Sequence, residues 1–293
     1  MISAQIMKEI KRIELKAGYL ASDLLSGEYI SAFKGRGMEF DEVRKYLPGD
    51  DVRSIDWKVS ARMGEPYLKV FKEERELTML IALDVSSSLY YGSNEKAKYE
   101  FAAELAAVLA FLATKNNDKV GLILYSDEIE LALAPGKGKA HIWNLIKQIL
   151  THKPRSKNTN TELALKSIMN LCKRRSMVFL ISDFWDQGYE KLFKQVARKH
   201  DLSCFEIFDK SEKNLFEAGV VSLEDRESGL SMLVDSSSKS LKAKFLEAFD
   251  NKSEFIAGLS KKSGASFMSM DKEIAIGDQL NYFFKRKDTR RSS

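Results

Sequence analysis

The sequence predicts an α/β fold with a mostly parallel central sheet and helices on both of its faces. Apolar runs of strand length alternate with longer segments whose apolar residues recur at helical spacing. The clearest run, residues 77–83, is apolar at six of its seven positions, which is typical of a strand buried on both faces. This run leads into Asp84, and a second buried run ends near Asp183. Sites in open α/β sheets lie beyond the carboxyl ends of the strands, so we expect function at this edge.

The composition indicates an ordinary globular protein that we expect in the cytoplasm. The 293 residues are 44% hydrophobic, which is enough for a sizeable core. No apolar run approaches the roughly 18–20 residues of a membrane span, and the N-terminal residues form no signal-peptide core. Cys172 and Cys204 lack the spacing of zinc ligands and are too few for a disulfide framework. Both are predicted to be reduced thiols in the core.

The basic charge is concentrated at one end of the chain. The formal net charge is +5. Residues 285–291 hold five basic residues and one acidic residue, a net of +4, so the rest of the chain carries about +1. A body this close to neutral lacks the electrostatic field of a nucleic-acid binder. We therefore expect no nucleic-acid partner and interpret residues 288–293 as a solvated basic tail.

The first 75 residues are predicted to form an N-terminal extension. Isoleucines at positions 2, 6, 10 and 13 recur at helical spacing and predict a helix that packs one stripe on the main domain. Residues 33–74 then change to short, charged, loop-rich motifs with a proline-glycine turn at residues 48–50. Their charges fit either an internal network clamped by arginines or a docking surface, for which Arg44, Arg53 and Arg62 are the candidate contacts. Residues 67–72 alternate like a strand that leads into the central one.

The remaining elements alternate in a regular order. Helices are predicted near residues 95–115, 141–150, 161–173, 189–199, 239–262 and 274–285. Strands are predicted at residues 119–125, 176–184, 203–208 and 266–270, with an edge strand at 129–134 and a hairpin at 220–223 and 230–234. This alternation of strands and helices is the basis of the predicted fold class.

Five oxygen-bearing side chains are predicted to meet at the edge where the buried strands end. They are Asp84, Ser86, Ser88, Thr161 and Asp183. Carboxylates and hydroxyls are hard donors, and Mg²⁺ prefers such oxygens at about 2.0–2.1 Å. A serine-rich loop also caps helices, Thr161 is equally suited to an N-cap position, and Thr159 competes with it for the site.

The order of these residues resembles the metal-ion-dependent adhesion site of von Willebrand factor A domains, which reads Asp-x-Ser-x-Ser, then Thr, then Asp. The resemblance implies a Rossmann-like domain in which Ser86, Ser88 and Thr161 hold Mg²⁺ or Mn²⁺ through their hydroxyls. It also implies that Asp84 and Asp183 act on the metal directly or through water. In such sites a carboxylate of the partner completes the coordination of the metal.

An earlier part of the chain resembles a bacterial family called domain of unknown function fifty-eight (DUF58). The motifs are Gly35-Arg36-Gly37, Glu39-Phe40, Val43-Arg44, Pro48-Gly49-Asp50-Asp51-Val52-Arg53, Ile55-Asp56-Trp57 and Ser60-Ala61-Arg62. They run into the strand before Asp84, so together with the later metal-site residues the resemblance covers most of the chain. Members of this family are often encoded beside MoxR-type AAA+ ATPases, which implies such a partner.

Together these patterns favour a non-enzymatic, metal-dependent protein-binding module. The resemblance implies that it acts with a MoxR-type AAA+ ATPase in assembly, maturation or stress-related remodelling of client proteins. We divide the chain into an extension at residues 1–75, a von Willebrand factor A-like domain at 76–287 and the tail at 288–293. The alternative is a metal-dependent phosphohydrolase that uses Asp84, but such enzymes generally carry a second acid two residues on, where this chain has Ser86. The three histidines do not fall in an order that fits a hydrolytic triad at this edge.

Overall fold

A computed structural model confirms the predicted α/β architecture and describes residues 8, 11–16, 18–19, 29, 32–33, 39–72, 77–91, 97–214, 216–224 and 231–292. Its strands are β1 (Glu39–Lys45), β2 (Tyr67–Lys72), β3 (Thr78–Asp84), β4 (Lys119–Tyr125), β5 (Ile129–Gly136), β6 (Met177–Ser182), β7 (Asp201–Phe208), β8 (Val220–Glu224), β9 (Ser231–Asp235) and β10 (Ser266–Asp271). Its helices are α1 (Trp57–Met63), α2 (Lys98–Lys115), α3 (Lys139–Thr151), α4 (Thr161–Leu171), α5 (Glu190–Lys199), α6 (Lys210–Lys213), α7 (Lys239–Ser263) and α8 (Ile276–Ser292).

The central sheet has six strands in the order β10-β7-β6-β3-β4-β5. All neighbouring strands are parallel except β5, which pairs with β4 as an antiparallel edge. The chain winds outward from β3 in one direction through β4 and in the other through β6, so the winding reverses between β3 and β6. Ligand sites of doubly wound sheets lie at this reversal, and Asp84 and Asp183 are found at the ends of its two strands.

Both faces of the sheet are covered, which explains the unbroken apolar run in β3. Met79, Ile81 and Leu83 pack into a core cluster with residues of α2, α3 and α8. Leu80 and Ala82, at the alternate positions, pack into a second cluster with residues of α4, α5 and α7. Because successive side chains of a strand point to opposite faces, a strand between two helical layers is apolar along most of its length, as β3 is at residues 79–83.

The N-terminal extension contributes side chains to the first of these clusters. Residues 11–16 are helical, and Ile13 is buried as the isoleucine pattern predicts. Tyr29 and Phe33 are also buried there, and the Tyr29 hydroxyl donates a hydrogen bond of 3.1 Å to Oδ2 of Asp118. The isoleucines at positions 2, 6 and 10 and the Gly35-Arg36-Gly37 motif lie outside the described residues.

The charged segment after the extension's helix is more regular than the predicted loop. β1 and β2 form an antiparallel hairpin, and α1 lies between them in sequence. β2 covers residues 67–72, where the alternation predicted a strand, and it pairs with β1 and not with the central sheet. The turn is held by Asp50, which accepts two hydrogen bonds from the Arg44 guanidinium at 2.8 and 2.7 Å, and α1 is N-capped by Asp56. A seven-residue helix is too short to produce a helical period in the sequence, so the pattern missed it.

Two further features follow at the C-terminal end and in the core. α8 continues to Ser292, so the residues at 288–292 that we interpreted as a tail are helical. Cys172 and Cys204 are free and buried, as predicted.

Across the described part of the chain, no helix combines the length and the apolar character that a membrane crossing requires.

His200 makes the stability of the fold depend on pH. Its ring is buried at the end of α5, and neither ring nitrogen has a hydrogen-bond partner in the part of the chain that the structure describes. Burial, together with the charges of Lys199 and Arg175, lowers the pKa of His200 to about 4, below the value of about 6.5 for the unfolded chain. The folded state therefore resists a proton that the unfolded state accepts, and stability is lost as pH falls from about 6.5 towards 4.

We expect His200→Leu to remove about 2 kcal/mol of this pH-dependent loss, because the apolar side chain fills the site without a group to protonate. The measurement is urea unfolding of wild type and variant at pH 7.5, 5.5 and 4.5. Parallel losses in the two proteins between pH 7.5 and 4.5 would assign the acid sensitivity to other groups.

Candidate metal centre

The structure brings the five predicted side chains to the carboxyl edge of β3 and β6. Asp84 ends β3, and its Oδ1 accepts a hydrogen bond of 2.8 Å from the backbone N–H of Ser86. Its Oδ2 accepts one of 2.7 Å from the hydroxyl of Ser182. The hydroxyls of Ser86 and Ser88 lie 3.1 Å apart in the loop that follows. Thr161 begins α4, and Asp183 directly follows β6.

Asp84 is a buried carboxyl at the carboxyl end of β3. Among the described residues, no lysine or arginine forms an ion pair with it, although other acids near the ends of the parallel strands have one. These pairs are Asp183 with Lys98, Glu206 with Lys252, Asp209 with Lys272, and Asp271 with Lys210. Burial and the nearby charge of Asp183 raise the pKa of Asp84 to about 7, against the hydrogen bonds from Ser182 and Ser86. Within the described residues, the site thus holds an acid whose negative charge no cation compensates.

Asp183 is ionised, and only one of its two carboxylate oxygens is paired with a lysine. Burial acts to raise the pKa of Asp183, but Lys98 and Lys252, together with the nearby hydroxyl of Ser88, outweigh it and hold the pKa below its ordinary value. Its Oδ2 accepts a hydrogen bond of 2.8 Å from Lys98, and its backbone oxygen accepts one of 2.7 Å from Lys252. Its Oδ1 is buried and accepts no hydrogen bond from the residues that the structure describes. The next residue, Phe184, adopts a left-handed φ of 55°, which is uncommon without glycine and marks a constrained turn at the site.

Thr161 is held by an acid that the motif does not contain. Its backbone N–H and its hydroxyl donate to the two oxygens of Asp186, at 2.7 and 2.8 Å. The N-cap of α4 is Asn160, whose side chain accepts from Leu163, so Thr161 does not serve as the cap. Because the hydroxyl proton goes to Asp186, the lone pairs of the threonine oxygen remain for a cation. An outer acid that fixes a ligand in this way is a common feature of metal sites.

Lys98 is a second residue that the motif does not contain. Its ammonium contacts Asp183 and, at 2.6 Å, Oε1 of Glu212, and its side chain is only 2% exposed. Burial acts to lower the pKa of Lys98, but the two acids outweigh it and raise the pKa above its ordinary value. The sequence carries a signal for this lysine, since Lys98 occupies the apolar stripe of α2 that continues through Ala102 and Leu105. A lone lysine on such a stripe indicates a buried partner.

The arrangement fits a hard divalent cation. With ligands at about 2.0–2.1 Å in an octahedron, neighbouring oxygens are about 3 Å apart, which is close to the spacing of the Ser86 and Ser88 hydroxyls. The unpartnered Oδ1 of Asp183 supplies a buried anionic donor. Hydroxyls would make up most of this donor set, and in the described part of the chain no group of three or more His, Cys, Asp or Glu side chains is placed to hold a metal ion. The fit is therefore to Mg²⁺ or Mn²⁺ and not to zinc.

Comparison with known proteins places the chain in a family. Residues 42–254, more than half of the chain, match the family model described as "Protein of unknown function DUF58". The chain belongs to the DUF58 family. The matched range contains all five residues of the candidate site and most of the hairpin segment (β1, α1 and β2, residues 39–72), which it enters at Glu42.

The DUF58 chain is also similar to individual proteins. It is 28% identical over 224 residues to "Uncharacterized protein Rv1480" of Mycobacterium tuberculosis (strain ATCC 25618 / H37Rv), a match that covers 75% of this chain and 71% of that protein. The crystal structure of conserved hypothetical protein BatB from Bacteroides thetaiotaomicron is similar at 13% identity and a TM-score of 0.49, covering 73% of this chain and 99% of that one. The SpRpn10 VWA domain is similar at 10% identity and a TM-score of 0.42, covering 70% and 94%.

The three arginines named as candidate partner contacts do not join this site. All three are exposed and lie in the hairpin segment of the DUF58 chain: Arg44 in β1, Arg53 in a short 3₁₀ turn and Arg62 in α1. Arg44 is held by Asp50, as the predicted arginine clamp requires. Trp57 and Met63 of the same segment are also exposed, so cationic and apolar side chains share this surface.

Proposed function

We propose that this DUF58 protein is a non-enzymatic, metal-dependent protein-binding module. The observation that carries the proposal is the convergence of Asp84, Ser86, Ser88, Thr161 and Asp183 at the reversal of the sheet, where Oδ1 of Asp183 accepts no hydrogen bond within the described part of the chain. A buried polar atom without a hydrogen bond is costly unless another group satisfies it. A divalent cation would do so and would also compensate the charge of Asp84.

In this proposal each side chain has a distinct part. Ser86 and Ser88 would hold the ion through their hydroxyls, and Asp183 would hold it through Oδ1. Thr161, fixed by Asp186, would add a further hydroxyl, and Asp84 would act directly or through water. When bound, the metal supplies a positive charge that attracts a carboxylate of the partner protein.

The surroundings of the site favour binding over catalysis. Ser88 is half-buried and Trp185, two residues after Asp183, is 42% exposed, so a partner would meet a hydroxyl and an aromatic surface together. Exposed aromatic side chains of this kind are frequent anchors in protein interfaces. The position two residues after Asp84, where a phosphohydrolase carries its general acid, is occupied by Ser86.

We further propose that the partner is a MoxR-type AAA+ ATPase or its client, and that a carboxylate of that partner reaches the metal. The support for this partner is the resemblance of the hairpin motifs to a family often encoded beside such ATPases. Arg53 and Arg62 would add a second, electrostatic contact. Neither is held by a carboxylate in the described residues, whereas Arg44 is, so they present their charge to solvent.

Titration with the ATPase encoded nearest to this protein tests the proposal. We expect binding in Mg²⁺ to weaken by roughly 30-fold or more in chelator and in Ser86→Ala, because each change breaks a charge contact in a partly dehydrated site. Ser87→Ala is the matched control: its hydroxyl donates to the backbone oxygen of Lys157, at 2.8 Å, and is not part of the site. Equal affinity in all four samples would show that any contact uses another surface, and Arg53→Glu with Arg62→Glu would then be tested next.

A further inference from the structure

We propose that the ammonium of Lys98 is a built-in counter-cation of the candidate metal centre. It keeps Asp183 and Glu212 together when no metal is bound, and it lowers the affinity of the site for a divalent ion. This inference rests on the proposed function, since it concerns how tightly the same site holds its metal. The contacts, the burial and the position of Lys98 each support it.

The contacts of Lys98 join two acids that would otherwise repel each other. The ammonium lies 2.8 Å from Oδ2 of Asp183 and 2.6 Å from Oε1 of Glu212. All three side chains are removed from solvent or nearly so, which makes an uncompensated charge expensive. Without the ammonium, two carboxylates would face each other with little water between them.

The position of Lys98 in its helix indicates that these acids hold it in place. It is the first residue of α2, and its backbone N–H donates to the backbone oxygen of Tyr91 at 3.0 Å. A positive charge at a helix N-terminus is disfavoured by the helix dipole. The contacts with Asp183 and Glu212 therefore explain why Lys98 is buried at the N-terminus of α2, where the helix dipole disfavours it.

The ammonium and the metal would share one carboxylate. Lys98 occupies Oδ2 of Asp183, while Oδ1 of the same group has no hydrogen-bond donor among the residues described. Two cations on one carboxylate repel each other, and the ammonium also neutralises charge that would otherwise attract the metal. The site is consequently assembled before the metal arrives, and it binds the metal more weakly than its oxygen donors alone would allow.

The test is Mn²⁺ binding by the full chain, followed through the paramagnetic resonance of free Mn²⁺. We expect Lys98→Met to bind Mn²⁺ at least tenfold more tightly than wild type and to melt at a lower temperature in chelator, with the loss reversed by Mn²⁺. Lys98→Arg retains the charge and should keep affinity near the wild-type value. Lys287→Met is the matched control, because Lys287 is also buried in an ion pair, at 2.6 Å from Asp201, but at the opposite edge of the sheet. It should lose stability without a change in Mn²⁺ affinity.

A second variant tests the proposal if Lys98→Met does not fold. In Glu212→Gln the ammonium pairs with Asp183 alone, so we expect Mn²⁺ to bind at least threefold more weakly. Unchanged affinity in the folded variants would overturn the role of Lys98 while leaving the metal site of the proposed function intact. If wild type shows no binding but Lys98→Met does, Lys98 replaces the metal altogether and the proposed function is wrong. Absence of binding in every variant would overturn both.

Discussion

Asp84→Asn is expected to stabilise the metal-free protein near pH 8 and to abolish its response to a divalent ion. The folded-state pKa of Asp84 is about 7, raised first by burial and then by Asp183, against 3.8 for a free side chain. The folded state binds the Asp84 proton more strongly than the unfolded state does. Protonation of Asp84 therefore stabilises the fold fully below about pH 3.8, and this stabilisation is lost as pH rises through 7. Ionised Asp84 then destabilises the metal-free fold by on the order of 4 kcal/mol.

Asparagine removes this charge and has a side chain of nearly the same size as that of aspartate. It exchanges one accepting oxygen for an amide NH₂, so one of the two hydrogen bonds from Ser86 and Ser182 is lost, at about 1 kcal/mol. The charge effect is larger, and we expect a net gain of about 2–3 kcal/mol at pH 8, or roughly 5–10 °C in Tm. At pH 4 the gain should vanish, since Asp84 is already neutral in the folded wild type.

Thermal unfolding in chelator and in millimolar Mg²⁺ or Mn²⁺ measures both effects. Wild type should gain about 2.7 kcal/mol at a metal concentration one hundred times the Kd, and Asp84→Asn should gain nothing. Asp209→Asn is the contrasting control at the same edge: its carboxylate pairs with buried Lys272 at 2.5 Å, so removing its charge should destabilise the protein. A variant at Asp84 that is less stable than wild type at pH 8, or that still responds to metal, would contradict this view of the site.

The fold could be predicted from the sequence because the strands of the central sheet are buried on both faces. Residues of β3 and β6 alternate between two helical layers, so nearly every position is apolar and the run is visible without any tertiary information. The hairpin of β1 and β2 lies outside this sheet and is short and charged. The alternation of residues 67–72 predicts β2, but the turn is held by specific contacts such as that between Arg44 and Asp50, which leave no periodic pattern.

The candidate site could be predicted only in part. Asp84, Ser86 and Ser88 are adjacent in sequence, so their proximity follows from the chain itself. Lys98 and Asp186 join them through tertiary contacts, and spacing alone does not show which acid a lysine will reach. The unshared oxygen of Asp183 depends on that lysine, because Lys98 occupies Oδ2 and leaves Oδ1. The sequence therefore indicates which side chains could bind a metal, whereas the hydrogen-bond and ion-pair partners of those side chains are known only from distances in the structure.

Phe33 belongs to the N-terminal extension but packs in the core of the main domain, so we expect its replacement to have a large effect on stability. Its buried ring has its centroid 5.6 Å from that of Phe179 in β6 and 5.8 Å from that of Phe284 in α8, and Lys287 lies 4.1 Å above it. A residue of the first 75 is thus part of the core of the sheet. The extension should consequently contribute to the same unfolding transition as the main domain.

Phe33→Ala is expected to lower the free energy of unfolding by about 3–5 kcal/mol, because it removes a buried ring and leaves a cavity between the sheet and α8. Denaturant unfolding followed by far-ultraviolet circular dichroism and by tryptophan fluorescence should give one coincident transition at lower denaturant. Leu15→Ala, in the same extension but at a side chain that is 76% exposed, should change stability by no more than about 0.5 kcal/mol. A Phe33→Ala protein as stable as Leu15→Ala, or a separate early transition confined to the extension, would mean that residues 1–75 form an independent unit. If the loss is as large as expected, a truncation that removes the extension would expose this face of the sheet and should not yield a stable domain.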